Sequence, residues 1–316
     1  MGHDAPMKIN PLHGVLMVLA AAMLWGTTGT AQSFAPPQLS AYWVGSLRLW
    51  AAALFFMPWL ALTDRPALAR RSLANLPWPA IGLAAACMCS YNLAFFAGVR
   101  ACGVAVGTAI AIGSGPIWAG LLQALVLRRA PPVVWWLGTA LAVAGVGLMM
   151  ASAGVVAASA APGASFSLFG VAMCLLAGLS YAVYALVNKH MVSVAPAGVV
   201  TAAVFVLAAA LAVPIAWALA GAVHLSAQDV AVVAWLGVMG TAVAYLLFSH
   251  ALRHISGATA VALALGEPVT AFVLAIAVVG ERPGGLALVG LLVVLAGLVV
   301  VVRAELVRQP LAHREP

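Results

Sequence analysis

The sequence predicts an all-α integral membrane protein in which ten transmembrane helices form two inverted five-helix repeats. Three observations predict it. About 65% of the 316 residues are hydrophobic and only 7% are charged, whereas a soluble domain carries roughly 25% charged residues. Apolar stretches near 20 residues long, the length a helix needs to cross the hydrocarbon core, recur ten times along the chain. The second half also restates the first: Ile110 to Pro131 (IAIGSGPIWAGLLQALVLRRAP) aligns with Leu263 to Pro283 (LALGEPVTAFVLAIAVVGERP), so that Pro116 answers Pro268 and Pro131 answers Pro283 at a common offset of 152 positions. Each copy holds an odd number of spans, so the second enters the bilayer upside down.

The spans are expected over residues 14–34, 41–62, 77–99, 103–127, 133–154, 168–188, 197–220, 229–251, 256–279 and 284–302. All are helical because lipid offers no hydrogen-bond partner to an open backbone. The first repeat covers 14–154 and the second 168–303. Two longer excursions separate spans: 63–76 is basic, and 155–167, rich in Ala, Gly and Ser, links the halves. Lys8 ahead of the first apolar stretch resembles a signal peptide, but the stretch runs to about Phe34. That is too long for an h-region, so it is read as a retained first span.

Charge sets the orientation. With the N-terminus inside, the cytoplasmic side holds Lys8, Arg65, Arg70, Arg71, Arg128, Arg129, Lys189, Arg253, Arg303, Arg308 and Arg314, against Arg100 and Arg282 outside. Arg48 lies within span 2. The bias predicts cytoplasmic termini on a multi-pass protein of the inner or plasma membrane. Because the basic residues sit singly or in pairs at span ends, the net charge of +7 is a topology signal and not a nucleic-acid patch. Trp43, Trp59, Trp78, Trp135, Trp136, Trp217 and Trp235 fall toward span ends and read as interfacial anchors. Cys87 and Cys89 point to opposite sides of a helix, and Cys102 and Cys174 stand alone in apolar runs, so no metal site is expected.

Several motifs carry a family resemblance. They are LWGTTG (Leu24–Gly29), SLRLWAAALFF (Ser46–Phe56), GLSYAVYALVNKH (Gly178–His190) and LGEPVTAFVLAIAVVGERP (Leu265–Pro283). Together they resemble the drug/metabolite transporter superfamily, in its EamA-type branch. The Glu-Pro pair followed by Gly-Glu-Arg is the most specific. The first half departs from it, with Gly115-Pro116 for Glu-Pro and Arg128-Arg129 for Gly-Glu. The resemblance implies a secondary carrier of small metabolites, often outward; the branch includes exporters of aromatic amino acids and of drugs.

Polar groups at membrane depth are functional candidates, because each costs about 2.5–3.5 kcal/mol at the bilayer centre on insertion scales. Two charges lie well inside spans, Arg48 and Glu267. Glu267 precedes Pro268, which frees backbone carbonyls. A carboxylate there can bind an ammonium group or carry a proton; the competing role is a helix bridge. Arg48 can attract a substrate carboxylate or hold helix carbonyls. Trp25, Trp118, Tyr91, Tyr181, Tyr184 and Tyr245 are deep aromatics able to line a cavity, while Trp50 is read as packing. The expected substrate-binding set is Trp25, Tyr91, Asn92, Ser114, Trp118, Tyr184, Tyr245 and Glu267. Gly115, Pro116 and Pro268 are candidate hinges, and Glu267 and His250 candidate proton sites.

These features point to an alternating-access carrier acting as a monomer in the lipid bilayer on a small-molecule substrate, without cofactor. Neutral or aromatic amino acids fit best, since one acid and one base match a zwitterion and the aromatics match a side chain. Hydrophobic drugs or nucleoside-like metabolites are the alternative. An intramembrane enzyme would need a nucleophile and base or metal ligands at depth, and neither H-E-x-x-H, paired aspartates nor a serine triad motif is present. No Walker sequence supports ATP-driven pumping.

Overall fold

The structure, a computed structural model, describes residues 10–34, 39–63, 73–160, 167–280 and 282–312. Of the residues counted for orientation, Lys8, Arg65, Arg70, Arg71 and Arg314 lie outside these. The first repeat comprises α1 (Pro11–Ser33), α2 (Ala41–Thr63), α3 (Trp78–Cys102), α4 (Val104–Leu125) and α5 (Val133–Ala160). The second comprises α6 (Leu168–Val194), α7 (Ala197–Ala220), α8 (Ala227–Ala251), α9 (Gly257–Val278) and α10 (Gly285–Ala312). All ten are long and apolar enough to cross a membrane. Leu54, Met57, Leu137, Leu292 and Val299 stand exposed on their outer faces, a surface suited to lipid and not to water.

Local chemistry sets where the helices begin. Ser167 caps α6 by accepting the Gly170 amide at 3.1 Å, and Ser256 caps α9 through Thr259. At α8, Ser226 and Asp229 form a reciprocal capping box. Between α3 and α4 a single residue, Gly103 at φ 83°, turns the chain; only glycine adopts that conformation without strain.

The contacts between helices follow a two-fold exchange of repeats. α2 packs on α7 and α5 on α10, each helix on its own repeat counterpart. α3 and α4 pack on α6, while their counterparts α8 and α9 pack on α1. In the α5–α10 pair, Gly138 lies against Gly297 and Gly145 against Gly290. Gly290 and Gly297 are the counterparts of Gly138 and Gly145 at the same offset of 152 positions. Contact of i with j′ and of j with i′ is what a two-fold axis produces.

Two helices are irregular at mid-depth. α8 passes through a π-helical turn at Val238–Val243. α9 runs as an α-helix to Leu263, tightens to a 3₁₀ turn at Ala264–Gly266, restarts at Glu267, and ends in a π-helical turn at Ala275–Val279. α4, by contrast, is continuous through Pro116. The irregularity in α9 thus lies just ahead of Pro268, and Pro116 has no equivalent of it.

Some sequence expectations need correcting. Trp43 and Trp135 are buried, at 5% and 1% exposure, and the Trp43 indole donates to the Gly221 carbonyl at 3.0 Å. They pack between helices and do not anchor an interface. Trp50, read as packing, is exposed on the lipid side. Cys102 and Cys174 do not stand alone: the Cys174 thiol fills the space over Gly98 and the Cys102 thiol that over Gly170, where it donates to the Ser167 carbonyl at 3.7 Å.

Candidate functional site

Trp25 on α1 is the hub of an aromatic cluster. Its ring centroid lies 5.1 Å from Tyr245 and 5.7 Å from Phe248, both on α8, and 6.3 Å edge-on from Tyr181 on α6. Tyr181 reaches Tyr91 on α3 at 5.5 Å and Tyr184 at 6.3 Å. Helical spacing explains the convergence. Tyr181 and Tyr184 share a face of α6 at i, i+3, as do Tyr245 and Phe248 on α8. Four helices from both repeats therefore contribute rings to one place.

Glu267 stands at the edge of this cluster. Its backbone begins the restarted segment of α9 and lies under Gly26 of α1, where an added Cβ would meet the Glu267 carbonyl at 2.7 Å. Gly26 thus lets α1 approach, and Trp25 next to it is carried to the break in α9. The side chain is half-buried, and its carboxylate makes no hydrogen bond or ion pair among the described residues. It is within electrostatic reach of Arg48, Tyr91, Tyr181 and Tyr245.

Arg48 of α2 is the balancing charge. Its Nε donates to Thr241 Oγ1 at 3.0 Å and its Nη2 to the Gly240 carbonyl at 3.2 Å. Thr241 in turn donates to the Leu236 carbonyl at 2.8 Å. The π-helical turn of α8 displaces these carbonyls from their usual partners, and Arg48 and Thr241 satisfy them. The guanidinium Nη1 has no hydrogen-bond partner among the described residues.

Three buried donors have no partner among the described residues: Trp25 Nε1 and Tyr181 Oη within the cluster and, on α4, Trp118 Nε1. Native structures leave few such groups unsatisfied, and at a site for a polar ligand they are the groups that would meet it. Behind the rings, Asn188 Nδ2 donates to Tyr184 Oη at 3.1 Å and to Ser249 Oγ at 2.9 Å, and Thr201 Oγ1 bonds Ser249 Oγ at 2.7 Å. This buried network ties α6, α7 and α8 together and orients Tyr184.

The structure brings Trp25, Tyr91, Tyr184, Tyr245 and Glu267 of the expected set near one another, and sets Gly115 of α4 next to Tyr181. Others in the expected set lie differently. The Asn92 amide donates to Met88 of its own helix at 2.8 Å. Ser114 donates to Ala111 and abuts Gly178 at the α4–α6 crossing. Trp118 makes no ring contact with the cluster among the described residues. His250 sits near the end of α8, its Nδ1 bonded to the Leu246 carbonyl at 2.7 Å, away from Glu267. Phe248, Phe205 and Thr241 were missed. Phe248 was legible as the i+3 partner of Tyr245; Thr241 was not, since nothing local marks a π-helical turn. No group of three or more metal-ligating side chains occurs among the described residues.

Comparison with known proteins places these features in a context. The sequence profile of the EamA-like transporter family matches residues 12–151 and again 168–303. A protein described as uncharacterized transporter YwfM, from Bacillus subtilis (strain 168), is 36% identical over 288 residues, covering 90% of this chain and 92% of that one. A crystal structure superposes with a TM-score of 0.75 over 94% of this chain and 98% of its own, at 19% identity. That likeness concerns the fold.

Proposed function

The chain belongs to the EamA-like transporter family and is a multi-pass membrane transporter, and we propose that it is an alternating-access carrier exporting neutral or aromatic amino acids. The carrying observation is the Glu267 carboxylate, without a hydrogen-bond partner among the described residues and beside a cluster of Trp and Tyr rings. An ammonium group fits there twice over, against the carboxylate and over the ring faces. Arg48 Nη1 offers a donor to the substrate carboxylate, and an aromatic side chain stacks on the rings. Hydrophobic drugs or nucleoside-like metabolites are the second reading, supported by the same ring surface but leaving Arg48 without a ligand.

The two repeats supply the moving parts. The 3₁₀ turn of α9 just before Pro268 is, in this reading, the joint at which the carrier bends, in the manner of the discontinuous helices of inverted-repeat carriers. In this reading the carrier works as a monomer in the inner or plasma membrane with both termini cytoplasmic. Counterflow in proteoliposomes tests it: trapped unlabelled amino acids should drive uptake of labelled tryptophan, threonine or alanine. Absence of amino-acid counterflow from folded protein, with exchange of a hydrophobic cation or nucleoside instead, would establish the second reading.

A further inference from the structure

A second concave feature lies apart from the aromatic site, where the turn between α6 and α7 meets the turn between α8 and α9. It is a cavity of about 370 Å³ whose wall includes Lys189, Ser193, Val194, Pro196, Leu252 and Arg253. The charged residues on the wall are both basic, and no carboxylate lines it. Lys189 Nζ donates to the Leu252 carbonyl, and Arg253 Nη2 to the Ala195 carbonyl at 3.3 Å. These bonds hold both cationic heads at the cavity instead of leaving them to sweep through solvent.

Two further features favour an anion. Arg253 Nε is buried with no hydrogen-bond partner among the described residues, although a guanidinium N–H out of water ordinarily has one. α7 also starts at this point, and its N-cap, Pro196, provides no side-chain cap. Its first-turn N–H groups and the positive end of its dipole are therefore turned to the same region. The nearby acid, Glu305, is within electrostatic reach of Lys189, but its carboxylate is taken by Ser256 and Thr259.

We propose that this cavity binds a phosphate-bearing anion, the headgroup of an anionic phospholipid. Its position favours a lipid over a free ion. It lies at the ends of spanning helices, on the face where Lys and Arg concentrate, and Val194 at its rim is 62% exposed, offering apolar surface for the start of an acyl chain. Basic pockets between spanning helices are the usual headgroup sites.

The test is thermal unfolding of the purified full-length protein in detergent, titrated with phosphatidylglycerol, phosphatidylcholine or inorganic phosphate. Phosphatidylglycerol is expected to raise the midpoint while the other two leave it unchanged. Ser193→Asp puts a carboxylate where the anion would sit without removing a cation, and Arg253→Gln removes a donor. Each should weaken the phosphatidylglycerol response roughly tenfold, the scale of one charge-assisted hydrogen bond. Ser193 is exposed and donates only to His190, so its variant keeps the test valid if Arg253→Gln does not fold. An unchanged response in Ser193→Asp, equal shifts from phosphatidylcholine, or inorganic phosphate matching phosphatidylglycerol would each overturn the assignment to a lipid headgroup.

Discussion

Gly145 of α5 and Gly290 of α10 meet backbone to backbone: a Cβ added at Gly145 would lie 2.7 Å from the Gly290 carbonyl, and one added at Gly290 would lie 2.8 Å from the Gly145 carbonyl. Gly138 and Gly297 repeat the arrangement two turns away. Because each glycine is the repeat counterpart of its partner's neighbour in the pair, the seam lies on the two-fold relation between the halves. Close approach through small residues replaces the hydrophobic drive that helix packing lacks in lipid.

Gly145→Ala should therefore lower the unfolding temperature, with overpacking costing about 1–3 kcal/mol. Gly147, two residues on, has nothing within 4 Å of its added Cβ. Gly147→Ala should leave stability unchanged or raise it by up to about 1 kcal/mol through helix propensity. Thermal unfolding of the two variants side by side checks the seam; equal behaviour would contradict it.

Arg48 clamps the π-helical turn of α8, so Arg48→Gln should destabilise the protein by about 1.5–3 kcal/mol, the range for hydrogen bonds from a charged group. Thr241→Val removes the same link from the other side. Because both act on one set of bonds, the double variant should be no more than slightly worse than either single one. Unfolding midpoints of the four proteins give the coupling directly.

Trp25 and Tyr181 carry buried donors that no group among the described residues accepts. Tyr181→Phe should leave the unfolding midpoint nearly unchanged, since no hydrogen bond among the described residues is lost, whereas Trp25→Phe also empties part of the packed cluster and should lower it. In counterflow each should raise the half-saturating substrate concentration by roughly two- to tenfold, the effect of losing about 0.5–1.5 kcal/mol of hydrogen bonding. A stability loss without a change in transport would show that the rings are packing alone.

Glu267→Gln is nearly isosteric and removes a charge that makes no hydrogen bond or ion pair among the described residues. The variant should fold at least as well as the parent and lose at least about tenfold in amino-acid counterflow, as a charge-assisted contact is replaced by a neutral one. Full activity in the variant would make the glutamate a structural feature of α9.

What the sequence determined by itself was set by solvent and by chain arithmetic. So few charges in so apolar a chain require lipid, lipid requires helices, and span length counts ten of them. The 152-position offset relates the halves, and the Glu267-Pro268 pair marks the place where α9 breaks. Pro116, at the matching position, was indistinguishable from Pro268 in that respect, yet α4 stays continuous. Trp43 and Trp135 look like interfacial tryptophans by position, and Trp50 looks buried by depth; the structure reverses each. Only the tertiary structure decided which rings surround Trp25, that Arg48 serves a turn of α8 192 positions away, and that four glycines form the seam. The physical reason is that apolar composition separates lipid from water but not one helix face from another. In a bilayer, side chains facing lipid and side chains facing protein are alike in hydrophobicity, so the choice of partner rests on close packing and on polar groups meeting across helices, neither of which is local in the chain.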